Sequence, residues 1–115
     1  MKFNKHQELL MESVFFIIAA TLLVTLYTNP LVLTALLLIA LALALFIWYE
    51  ENDIIFFLAG AFLGALGEII CVNLGVWHYA KPQVLGIPLW LPVGWGMATL
   101  LIMRVSKTLS PNKQP

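Results

Sequence analysis

The chain has 115 residues, 62% of them hydrophobic and only 10% charged, a balance far from that of soluble domains. A small soluble fold buries only about 60% of the surface its chain exposes, so in water much of this apolar surface would stay wet, and lipid is the fitting solvent. Six basic and six acidic side chains cancel, which argues against a nucleic-acid partner, and a single cysteine, Cys71, excludes an intrachain disulfide and a multi-cysteine metal site.

Crossing about 30 Å of hydrocarbon takes roughly 20 helical residues, and the first stretch that meets this runs over about residues 9–27. Lys2 and Lys5 ahead of it could open a signal peptide. The apolar run is too long for a signal core, Glu8 and Glu12 intrude, and no small-x-small site precedes Asn29-Pro30, so this helix is expected to stay in the protein. Asn29-Pro30 ends it, because proline cannot continue the hydrogen-bond ladder, and a second helix over about residues 31–49 must follow in a tight hairpin. That second run is apolar on almost every side, as lipid-facing scaffold is, and it ends in Trp48 and Tyr49 at interface level.

Glu50-Glu51-Asn52-Asp53 returns the chain to water as a solvated turn whose acids favour the N-terminus of the next helix, expected over about residues 54–74. Between Gly75 and Pro92 five glycines and prolines (Gly75, Pro82, Gly86, Pro88, Pro92) stand among Trp77, His78, Tyr79 and Trp90, more breakers than a regular helix tolerates. A structured or partly re-entrant outer segment is expected there. A fourth helix over about residues 89–103 closes on Arg104 and Lys107, and residues 110–115 form a polar tail.

The fold class is therefore all-α: an integral membrane four-helix bundle in one domain, with a Pro/Gly-broken outer segment before the last helix. Lys2, Lys5, Arg104, Lys107 and Lys113 fall on one side of four spans and Lys81 on the other, which places both termini in the cytoplasm of a cell inner membrane. Membrane lipid is the first partner this implies.

Glu68 is the most informative residue. A carboxyl inside a membrane helix costs roughly 2.5–3.5 kcal/mol on insertion scales and demands a reason. At about 1.5 Å per residue it lies some 21 Å from the start of its helix, nearer the outer face, where burial favours a neutral, proton-donating acid. Gly60, Gly64 and Gly67 with Ala61 and Ala65 give the same helix a small-residue face of the GxxxG kind, along which another helix can approach. Glu68 sits beside that face, with Thr25, Trp95 and Thr99 as candidate neighbours and Arg104 near the opposite membrane face. His78 could shuttle protons near neutral pH, and Trp77, Tyr79, Trp90 and Trp95 form either an aromatic belt or a set of π faces for an apolar or cationic species. The two histidines, His6 and His78, are far apart in the chain, so no metal and no cofactor is expected. No Ser/His/Asp set, Walker loop or dinucleotide fingerprint is present.

Residues 64–104 carry a glycine-flanked Glu68, then Gly75-Val76-Trp77-His78-Tyr79, then Gly86-Ile87-Pro88-Leu89-Trp90-Leu91-Pro92 and Trp95. This third of the chain resembles the core of the membrane-bound carotenoid hydratases of the bacterioruberin type, which are longer and have more spanning helices. The resemblance implies water addition to a terminal double bond of a long isoprenoid, with Glu68 as general acid and Trp77, Tyr79 and Trp95 lining the site. The candidate catalytic residues are therefore Glu68, His78 and Tyr79, and the candidate substrate-binding residues Trp77, Trp90, Trp95 and Thr99. Glu50-Glu51 followed by Phe56-Phe57 is similar to a pattern in the small heterodimeric lycopene cyclase subunits, which need a partner. The expected ligand is an apolar isoprenoid, held by a homo-oligomer or with a partner subunit. The alternative is a non-enzymatic assembly subunit that oligomerises through the Gly60/Gly64 face.

Overall fold

The computed structural model describes residues 3–110. Lys2 and Lys113, used above to orient the chain, and the tail beyond Ser110 lie outside them. The described residues form four helices, α1 (Lys5–Leu26), α2 (Pro30–Trp48), α3 (Asp53–Asn73) and α4 (Trp90–Leu109), and no strand. The all-α four-helix bundle is thus the fold. Three of the helices, α1, α2 and α3, are long and apolar enough to cross a membrane, and the longest dimension of the molecule, 45 Å, matches a bilayer with its interfaces.

Local chemistry sets each boundary. Asn4 and Gln7 exchange hydrogen bonds, Asn4 Oδ1 accepting from the Gln7 amide at 2.9 Å and Gln7 Oε1 from the Asn4 amide at 3.1 Å. This capping box starts α1 four residues before the apolar run. Pro30 opens α2, where its missing N–H is no loss. At the end of α3 the Gly75 amide bonds the Val72 carbonyl and the Val76 amide the Cys71 carbonyl, a Schellman closure that needs the φ of +81° which Gly75 supplies.

α4 is the hub: it packs against all three other helices, whereas α3 packs chiefly on α4. Leu33, Leu37 and Leu41 line one stripe of α2 and meet Phe15, Met97 and Leu100 in the core. That stripe faces protein, so α2 is not lipid-facing all round. Trp48 is also buried, not at the surface where an interfacial anchor would sit. The α3–α4 seam is made by small residues: a side chain on Gly60 would overlap Thr99, one on Gly64 the indole of Trp95, and one on Gly96 the ring of Phe57. The Gly60/Gly64 face thus makes a close helix contact with α4 of the same chain.

α4 runs six residues past the expected end at Met103. The helix continues because Arg104 turns inward, where it is 2% exposed, so the cation does not mark the return to water.

Candidate functional site

Two polar clusters sit at opposite ends of the bundle, called outer and inner after the orientation expected from the basic residues. The outer one is built by the closure of α3, which turns the chain back so that Trp77 and Tyr79 reach a residue on the preceding helix. Glu68 Oε1 accepts hydrogen bonds from Trp77 Nε1 at 3.0 Å and from the Tyr79 hydroxyl at 2.6 Å, and Glu68 Oε2 accepts from Trp95 Nε1 of α4 at 3.1 Å. Indole N–H groups only donate, so this set fits an ionised carboxylate, an acceptor with about four lone-pair positions of which three are filled. Desolvation, and then the hydrogen bond to Glu68, push the Tyr79 phenol up to about 12, so it stays a donor throughout the neutral range.

The connection that carries these residues is ordered. A two-residue turn at Leu85 and Gly86, both at positive φ, lets Val84 and Ile87 bond each other's backbone, and a side chain on Gly86 would overlap Val72 of α3. Gln83 Oε1 then accepts from the Leu89 amide at 2.9 Å, just ahead of α4. Ile87 and Pro88 are buried, which fastens the segment to the bundle.

Beside Glu68 a groove of about 450 Å³ runs between α3 and α4. Its floor is Gly60, Gly64 and Gly67, and Trp77, Trp95 and Thr99 form its sides. The structure thus brings Glu68, Trp77, Tyr79, Trp95 and Thr99 together. His78 is exposed and makes no hydrogen bond to the cluster among the described residues. Trp90 lines a separate groove between α1 and α4 with Phe16, Gly94 and Leu101, so it is not a wall of the Glu68 groove. Thr25 bonds back to the Thr21 carbonyl of its own helix at 2.7 Å and is exposed; α3 does not lean on that part of α1.

The inner cluster was not anticipated. Arg104 Nη1 donates to Asp53 Oδ2 at 2.9 Å and to the Trp48 carbonyl at 3.1 Å, while Nη2 lies 3.4 Å from Glu8 Oε1 and 3.5 Å from Glu50 Oε2. Its guanidinium carbon stands 4.0 Å from the centroid of the Trp48 ring, and Trp48 Nε1 donates to Glu8 Oε1 at 3.0 Å. Asp53 is fully buried and Glu50 partly so, which corrects the reading of residues 50–53 as a solvated turn; Glu51 alone of its acids is exposed. One guanidinium therefore ties α4 to the starts of α1 and α3 and to the end of α2.

No family model, characterised protein or solved structure matches the chain, so the geometry and the residues carry the functional reading.

Proposed function

We propose that this small multi-pass membrane protein holds an apolar, isoprenoid-like lipid in the α3–α4 groove, with the lipid's polar or reactive end at Glu68. The observation that carries the reading is the groove: an apolar channel floored by glycine, open to the outside of the bundle and ending on a carboxylate with a lone pair to spare. The likeness to the carotenoid hydratases supports it through Glu68, Trp77, Tyr79 and Trp95, which meet here. With both termini in the cytoplasm of a cell membrane, the site opens toward the outer leaflet.

Glu68 is held by three donors. Its use at a bound alkene or alcohol is to accept a hydroxyl hydrogen or to stand beside positive charge as it develops, a role that preorganised dipoles perform well in a dry site. The faces of Trp77 and Trp95 add attraction for the same charge. Tyr79 positions the carboxylate.

The test uses the protein in vesicles with a long conjugated polyene, which quenches tryptophan emission by energy transfer. Wild type is expected to show saturable quenching that Trp77→Phe with Trp95→Phe largely removes, while Trp48 and Trp90 keep their emission. Quenching that never saturates and survives those substitutions would overturn the proposal. If the lipid is also turned over, Glu68→Gln abolishes product in lipid extracts while the membrane level of the protein holds.

A further inference from the structure

The seam between α1 and α4 holds a carboxyl that makes no ion pair among the described residues. Glu12 lies one turn from Glu8 and is 2% exposed, and among the described residues no Arg or Lys nitrogen comes within ion-pair distance of it. The four Nη hydrogens of Arg104 already face Asp53, the Trp48 carbonyl, Glu8 and Glu50, and Lys107 reaches Glu50 at 3.6 Å. Glu12 Oε2 lies 2.6 Å from Thr108 Oγ1, and Glu12 Oε1 has no partner.

Counting hydrogens sharpens this. A threonine hydroxyl has one hydrogen, yet Thr108 Oγ1 also lies 2.9 Å from the Arg104 carbonyl one turn back. With that hydrogen given to the carbonyl, the 2.6 Å contact is a hydrogen bond only when Glu12 is its donor. A bare carboxylate here would be buried, unpaired and next to Glu8, at a cost that a carboxyl escapes by holding a proton.

We propose that Glu12 is a proton-binding site, a neutral carboxylic acid that donates to Thr108 Oγ1 at the base of a crevice lined by Leu9, Ser13, Phe16, Leu101 and Val105. The charged groups acting on it are Glu8 on its own helix, Arg104 on α4 and Glu50 in the turn before α3. Release of the proton adds a negative charge where the Nη groups of Arg104 are already directed at other acceptors, and it removes the Glu12–Thr108 bond that joins α1 to α4 at this end. Proton occupancy thereby closes or loosens that seam, independently of what fills the α3–α4 groove.

Infrared spectroscopy of the protein in vesicles tests this. A protonated carboxyl absorbs above the amide band; the signal is expected at neutral pH, expected to fade as the pH is raised, and expected to be lost in Glu12→Gln but kept in Glu8→Gln. A spectrum that Glu12→Gln leaves unchanged overturns the proposal. Should Glu12→Gln fail to fold, wild type treated with an apolar carbodiimide decides instead. The carboxyl proton moves to a carbodiimide nitrogen as the carboxyl oxygen bonds the central carbon, and the O-acylisourea so formed passes its acyl group from oxygen to nitrogen, leaving a stable N-acylurea that mass spectrometry locates. An adduct on Glu12 that declines with rising pH supports the site, and its absence from Glu12 overturns it.

Discussion

The two ends of the bundle each hold carboxylates by hydrogen bonds, by opposite means. At the inner end Glu8, Glu50 and Asp53 share one guanidinium whose two Nη groups are directed at protein acceptors. At the outer end Glu68 is held by three neutral donors, two of them on tryptophans that line a groove. The first arrangement is buried and joins helices, with Glu8 Oε2 and Asp53 Oδ1 left unpartnered inside it; the second faces an opening. A buried charge in a membrane protein is commonly read as functional. The contrast shows that the surroundings separate a charge that fastens the fold from one that can receive a ligand.

The sharpest way to break this comparison is at Arg104. Arg104→Met leaves Glu8 and Asp53 buried without a counter-charge, and breaking such a pair costs about 3–5 kcal/mol. The variant is expected to lose folded protein or to unfold far below wild type in detergent. Arg104→Lys should recover only part of the loss, because an ammonium cannot present the planar fork that meets four acceptors. Stability near that of wild type in Arg104→Met would mean that the inner cluster is not the clasp described here.

How much of this was legible in the sequence follows from the same two ends. Asn29-Pro30, the acidic turn and Gly75 each marked a helix boundary within a residue or two, because breakers act locally. Glu68 and its neighbours Trp95 and Thr99 could be paired because a small-residue face says where a second helix approaches. The inner cluster was missed because residues at span ends were assigned to water. The signal was available: in four antiparallel spans the starts of α1 and α3 share an end with the close of α2 and α4, and Glu8 with Glu12, like Arg104 with Thr108, falls at i, i+4 on one helix face. Trp90 was grouped with Trp95 by composition alone, although five residues at about 100° each set them roughly 140° apart around a helix.

Next in size is the α3–α4 seam. Gly64→Leu drives a side chain into the indole of Trp95, and overpacking of this kind costs about 1–3 kcal/mol. It should also shift the Trp95 emission, because that indole must leave its bond to Glu68. An unmoved spectrum would show that α3 and α4 part easily, and that the groove is not a fixed feature.

Smaller again is the outer hydrogen-bond set. Tyr79→Phe removes one donor and is expected to cost about 1 kcal/mol. The phenol also reports on its partner. Its value is raised from 10.0 to about 12, so the stability it contributes is complete below pH 10 and is lost as the pH rises through about 12. In Glu68→Gln the bond to the carboxylate goes while desolvation stays, and the phenol should titrate earlier, though still above its ordinary value. Absorbance of tyrosinate measures this directly. Identical titrations in the two proteins would separate Tyr79 from Glu68.

The smallest effect is expected a single turn from the largest. Lys107 reaches Glu50 at 3.6 Å, as Arg104 does at 3.5 Å, yet Lys107 is 53% exposed and Arg104 only 2%. Nearly equal distances therefore hide different energies: water solvates the ammonium in both folded and unfolded chains, and exposed pairs of this sort are worth about 0–1 kcal/mol. Lys107→Ala should move the unfolding midpoint little, and added salt should erase what shift there is. The Arg104→Met loss should persist in salt, since ions do not screen a site from which water is excluded. A salt-resistant loss in Lys107→Ala would place Lys107 inside the clasp, and the inner cluster would then be held by two cations.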